Sequence, residues 1–279
     1  MIKYVKAVKM LRDFRKASNE NKPLELLFAA ERIFNEKQFH QRYLDFCNLP
    51  ISKKVFKAKK ELHEIQADMD YLRSLPKDSL GYKFAEFLDF NVDIYAGYQF
   101  EAFCKSWDSY LDCPEKKIYA GRAFAVHDFV HLLVGYPRMF LGEVHAAAFH
   151  ASKDQNNNRV FKILIGIGWI RILREAKSVK TLFYIYRSLF EATRVAKKLP
   201  WLPALPWEDY MHLPVEEVRK IIGITQEDLK YFKKTQERYK TKHYNLLKAE
   251  FDALNAKQRE LLCSGPNGEE IQRLVAPTL

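Results

Sequence analysis

Residues 119–151 read YAGRAFAVHDFVHLLVGYPRMFLGEVHAAAFHA. Apolar and small residues recur at helical spacing up to Val134, and Gly135-Tyr136-Pro137 then stops the helix. The pattern predicts one helix over 119–136 and a second over 141–151. On the first, His127 and His131 stand one turn apart, and Asp128 lies about 100° further round on the same broad side. After eleven intervening residues His131 is followed by Glu143, on the second helix. Gly135, Pro137 and Gly142 let the chain turn back, so that Glu143 can approach the histidines.

Two imidazoles at i and i+4 with carboxylates nearby form a candidate site for a divalent metal. Imidazole suits Zn2+ or Fe2+, and the acidic groups neutralise the cation. A lone HDxxH is as readily explained by histidines hydrogen-bonded at a packed helix surface. The correctly spaced Glu143 after a Gly-Pro-Gly turn moves the balance toward a metal site at His127, Asp128, His131 and Glu143. His145 and His150, two and seven residues past Glu143, read as satisfied or surface histidines.

Working outward, the chain reads as helical almost throughout. Residues 23–48 form one helix, closed at Asn48-Leu49-Pro50, and Ser52 opens a lysine-rich helix to about Tyr71. Asp78 or Ser79 can cap a helix over 81–90, while 93–111 is helical only weakly. Helices over 161–174 and 180–198 follow the polar loop 153–158. A short helix over 214–222 ends at Gly223, and a long charged helix runs from Thr225 to about Cys263. The expected architecture is all-α: a single helical domain over 71–224, with helical extensions over 1–70 and 225–279.

Composition agrees with a globular chain: 48% hydrophobic and 29% charged, with Gly 10 and Pro 11 too sparse for a turn-rich sandwich or barrel. Four scattered cysteines with no CxxC argue against a disulfide framework. The balance of 46 basic against 35 acidic residues, +11, favours phosphates or an anionic membrane surface as partners. No finger, helix-turn-helix signature or basic-aromatic RNA motif is present, so nucleic acid is not an expected partner. The run Ile163–Ile170 is eight residues long, against about 20 for a membrane span. The first sixteen residues hold no apolar h-region and read as a solvated helix start. Between Arg159 and Lys198 ten basic residues face only Glu175 and Glu191, and the helix over 161–174 is apolar on nearly all sides. Such a helix is deeply buried or lines a lipid-like cavity.

His127, Asp128, His131 and, after eleven residues, Glu143 match the hallmark of the coenzyme Q (ubiquinone) biosynthesis protein 4 family, which this sequence resembles. Leu75-Pro76 through Gly81-Tyr82 to Phe84, Phe87 and Leu88 is similar to its LP…G…Y..F segment. Trp207-Glu208, then Leu213-Pro214 through Arg219 and Gly223-Ile224, resembles its closing W-E…PL.EVR…I segment. The resemblance covers about residues 70–224.

The resemblance implies an all-α protein whose four motif residues hold a divalent metal, Zn2+ first, with Fe2+ or Mg2+ as alternatives. It further implies oxidative decarboxylation, in which the carboxylate of a polyprenylated hydroxybenzoate ring is replaced by hydroxyl. The partners it implies are that lipid, other ubiquinone-biosynthesis enzymes and a membrane surface: the cytoplasmic face of a bacterial inner membrane, or alternatively the matrix side of the mitochondrial one. A second copy of the chain is a further candidate partner, through the helix from Thr225. The competing function is a non-catalytic scaffold that holds a prenylated intermediate. A metal phosphohydrolase would need a histidine upstream, and none lies between His63 and His127. A zincin peptidase would need glutamate where Asp128 stands.

Overall fold

The computed structural model describes residues 24–91, 96–136, 140–153 and 179–235, with isolated positions 5 and 9. Along them run α1 (Leu24–Cys47), α2 (Pro50–Phe56), α3 (Leu62–Ala67), α4 (Met69–Ser74), α5 (Leu80–Asn91) and α6 (Ala96–Trp107). There follow α7 (Pro114–Val134), α8 (Phe140–Lys153), α9 (Val179–Lys198), α10 (Trp207–Tyr210) and α11 (Val215–Ile222). Short 3-10 turns occupy Leu202–Ala204 and Gln226–Leu229. Among the described residues there is no strand, only an isolated bridge between Ser79 and Pro214. The fold is all-α. Among the described residues no helix is long and apolar enough to cross a membrane.

Helix α7 is the axis. It contacts α2, α3, α5, α6 and α8, and its buried residues fall on several faces, from Tyr119 and Arg122 through Phe129 and Val130 to Val134. A helix covered on several sides shows no single apolar stripe. Small residues let its neighbours come close: a Cβ at Gly121 would lie 2.5 Å from Nδ1 of His63. Phe84 of α5 meets Phe129 edge-on (5.2 Å between centroids), and Trp207 lies against the same ring at 4.9 Å. Trp207, Phe129 and Leu133 are buried in one continuous core with Leu72, Leu80, Val218 and Phe232. Each side chain of that size contributes about 1.5–3 kcal/mol through burial.

The helix expected from Ser52 to Tyr71 is instead three short ones. Glu61 and Glu64 form a reciprocal capping box that starts α3. The Asp68 carboxylate then accepts from the Tyr71 backbone N–H (3.1 Å) and starts α4. Acidic side chains that bind backbone donors locally compete with helix continuation. Ser79 does cap α5, its Oγ accepting from the Tyr82 N–H at 3.2 Å.

Residues 75–88 and 207–224, distant in sequence, are joined backbone to backbone. Leu80 N–H donates to the Leu213 carbonyl (2.8 Å), Gly81 N–H to Met211 (2.9 Å) and Val215 N–H to Asp78 (3.0 Å). The Arg122 guanidinium, 1% exposed, is consumed by the Pro203 and Leu205 carbonyls and both oxygens of Glu208. The long helix expected from Thr225 begins as a 3-10 turn with its own capping box between Thr225 and Asp228. Helical residues 230–235 follow, with Phe232 buried against Tyr136 and His145. The loop 154–158, the helix read over 161–174 and the charged helix beyond 235 lie outside the described residues.

Candidate metal centre

The C-terminal end of α7 is fixed before any ligand is placed. Helix α7 terminates at Gly135, whose φ of +75° is the left-handed conformation that glycine adopts at least cost. The reversal carries Tyr136 back beside the last turn, where its carbonyl meets Nδ1 of His131 at 3.0 Å. The carbonyls of Leu132 and Leu133, which no later turn could satisfy, accept from Arg219 of α11 at 3.3 and 2.8 Å. The guanidinium also complements the negative end of the helix dipole.

Three of the four predicted residues converge. Nε2 of His127 lies 3.2 Å from Nε2 of His131, while Glu143 places Oε1 3.4 Å from His131 Nε2 and Oε2 3.6 Å from His127 Nε2. Among the described residues they form the one group of three or more ligating side chains able to share an ion. Ligands about 2.0–2.1 Å from a small divalent ion stand roughly 3.0–3.4 Å apart, so two imidazole nitrogens and a carboxylate at these separations form a donor set that such an ion can use.

The tautomer of His131 is settled by its partner. A carbonyl can only accept, so Nδ1 of His131 carries a proton, and in the neutral ring Nε2 presents its lone pair to the site. Such a hydrogen bond behind a ligating imidazole fixes ring and tautomer. Phe87 of α5 lies over the same ring, 6.3 Å away at 29°.

Exposure is graded across the cluster. His131 is fully buried, His127 keeps 29% of its side-chain surface and Glu143 keeps 46%, so the site opens on the α8 side. Desolvation alone would lower the His131 imidazole, but the facing Glu143 carboxylate outweighs it and the ring is raised above its ordinary value. Conversely, packing would raise the Glu143 carboxyl, and the imidazoles of His131 and His127 hold it well below its ordinary value.

Asp128, beside His127 in sequence, is not one of the converging three. Burial pushes its carboxyl up to about 6, against the pull of both imidazoles. His145 is buried and spent on the fold: Nδ1 donates to the Leu141 carbonyl (2.7 Å) and Nε2 pairs with the Ser188 hydroxyl (2.8 Å). Desolvation lowers its pKa to about 4.

His150, read as satisfied or surface, stands behind His127. Its Nε2 is 3.0 Å from His127 Nδ1, and the rings stack 5.1 Å apart at 23°. The signal was present in the spacing, because Glu143 and His150 are seven residues apart and share a face of α8.

The family profile described as Coenzyme Q (ubiquinone) biosynthesis protein Coq4 matches residues 39–228, extending further toward the N-terminus than the motifs alone. "Ubiquinone biosynthesis protein COQ4, mitochondrial" of Scheffersomyces stipitis is 26% identical over 197 residues, 67% of this chain and 57% of that protein. The Bos taurus protein "Ubiquinone biosynthesis protein COQ4 homolog, mitochondrial" is 27% identical over 163 residues, 58% of this chain and 57% of its own. This chain thus spans under three-fifths of either relative's length. A crystal structure from Nostoc punctiforme, provisionally described as a ubiquinone biosynthesis protein, superposes with a TM-score of 0.52. It covers 80% of this chain and 97% of its own at 16% identity, a likeness that speaks to the fold.

Proposed function

From the premise that this chain belongs to the Coenzyme Q (ubiquinone) biosynthesis protein Coq4 family, we propose that it serves ubiquinone biosynthesis as a metal-dependent enzyme. Its substrate is a polyprenylated hydroxybenzoate, whose ring carboxylate it exchanges for hydroxyl. The observation that carries this reading is the convergence of His127, His131 and Glu143, with the His131 lone pair already turned inward.

Those three side chains would hold a divalent ion through Nε2, Nε2 and the carboxylate, leaving a fourth position on the open side, as catalytic sites do. The cation would polarise the ring's carboxylate and phenolic oxygens and stabilise charge as carbon dioxide departs. Zn2+ and Fe2+ suit two imidazoles better than Mg2+ does. Asp128, whose carboxyl burial raises to about 6, titrates close enough to neutrality to exchange a proton with the substrate. The exchange of carboxylate for hydroxyl removes two electrons from the substrate; with dioxygen as the acceptor we assign, carbon dioxide leaves, water supplies the hydroxyl oxygen and dioxygen departs as hydrogen peroxide.

An apolar and aromatic stripe on α9, made of Val179, Phe183, Tyr186 and Phe190, is exposed, with Lys180 beside it. Such a face supports attachment to an anionic membrane surface. The mitochondrial names of the relatives support the mitochondrial alternative over a bacterial address. Other enzymes of the pathway are the partners proposed.

Anaerobically purified protein, reloaded with one ion at a time and given the prenylated acid and oxygen, tests this. The reading requires one ion to restore loss of the carboxyl carbon and gain of a hydroxyl by mass spectrometry. Glu143→Ala should abolish turnover while lipid still binds. If the new quinol precursor forms unabated in that variant, the chain is a scaffold and catalysis belongs elsewhere.

A further inference from the structure

The two histidine ligands differ in how their proton is placed. His131 faces a backbone carbonyl and has one choice. His127 faces another imidazole, and an imidazole nitrogen can donate or accept.

With both rings neutral, two arrangements satisfy the contact between His127 and His150. In the first, His150 Nε2–H donates to His127 Nδ1, and His127 Nε2–H donates across 3.2 Å to the bare Nε2 of His131. The row is then a closed chain of hydrogen bonds, and the proton on His127 Nε2 blocks coordination. In the second, His127 Nδ1–H donates to His150 Nε2, and both ligand nitrogens present lone pairs to the cleft.

We propose, resting on the metal reading above, that His150 is a positioning residue for the metal centre: it accepts from His127 Nδ1–H, the arrangement that leaves Nε2 of His127 facing His131 and Glu143. The stacked rings hold the imidazole plane in that orientation. The role needs a polar atom at the place of His150 Nε2 that can accept from His127. It also needs the position seven residues past Glu143, on the face of α8 turned to the cleft.

Two substitutions separate this role from packing. His150→Phe keeps an aromatic ring stacked on His127 and removes the polar partner. His150→Gln discards the ring but keeps, at the place of Nε2, an amide that can donate or accept. Zn2+ affinity of the full-length chain, measured by competition with a chromophoric chelator, should fall ~10–100-fold in the Phe variant and stay within a few-fold of the parent in the Gln variant. Long-range proton–nitrogen spectra of labelled histidine should show the His127 proton on Nδ1 in the Zn2+-loaded parent. Parent-like affinity in His150→Phe, or a His127 proton on Nε2 in the loaded parent, overturns the proposal while leaving the metal centre intact. Failure of the parent itself to bind Zn2+ overturns the metal reading instead. Should the Phe variant fail to fold, the parent spectra and the Gln variant decide.

Discussion

His131 and His145 are equally buried, both at 0% exposure, and both are held by a backbone carbonyl through Nδ1. They differ at the other nitrogen. Nε2 of His145 is paired with Ser188 of α9, so the residue is closed and serves to lock two helices. Nε2 of His131 faces His127 and the half-exposed Glu143, a side chain that solvent and ligands can reach. The same residue type at the same depth is thus structural or open to chemistry according to what its second nitrogen meets. Charge follows the same division: burial lowers His145 to about 4, whereas Glu143 raises His131.

The sharpest way to break this comparison is to alter each side and read both affinity and stability. Glu143→Gln should lower divalent-ion affinity about a thousandfold, because even partners behind the ligands account for 10–100-fold. Being exposed, it should leave stability in urea within about 0.5 kcal/mol. His145→Ala should do the reverse. It opens a cavity and removes the His145–Ser188 hydrogen bond between α8 and α9, which costs about 3 kcal/mol, with ion affinity within a few-fold of the parent. A large loss of affinity in His145→Ala would mean that the two histidines are not separable.

The pH dependence of folding sharpens the same contrast. An unfolded chain protonates His145 below about 6.5, the folded one only below about 4, so the unfolded state binds the extra proton between those values. Stability from this residue is complete above 6.5 and is lost as pH falls toward 4, by up to about 3 kcal/mol. Urea titrations across that range should show the loss in the parent, and it should be absent in His145→Ala. Smaller effects belong to the supports of His131. Arg219→Met, which uncaps α7, should destabilise by about 1–2 kcal/mol. Gly135→Ala, forced to keep a left-handed φ, should cost about 1 kcal/mol by thermal melting and loosen ion binding only slightly.

Much of this was legible in the sequence because it depends on local rules. Helical periodicity with few glycines and prolines led to an all-α reading, and Gly135 and Gly223 marked helix ends. HDxxH with Glu143 placed three converging side chains on two adjacent helices, since i, i+4 spacing and a short reversal leave little freedom. The division of 52–71 into separate helices was missed because Glu61 and Asp68 read as surface charge until their backbone partners are seen. The separation of Asp128 from the three was equally out of reach, because a position 100° round a helix shares the same broad side and only its neighbours decide what it meets.

What the sequence determined alone was the helix inventory and which residues share a turn, because those follow from spacing along one chain. Which of the four histidines in that stretch becomes ligand, support or lock was decided by tertiary structure. A carbonyl, an imidazole and a hydroxyl brought from Tyr136, His150 and Ser188 set where each ring proton sits, and contacts between elements are not written in the period of either helix.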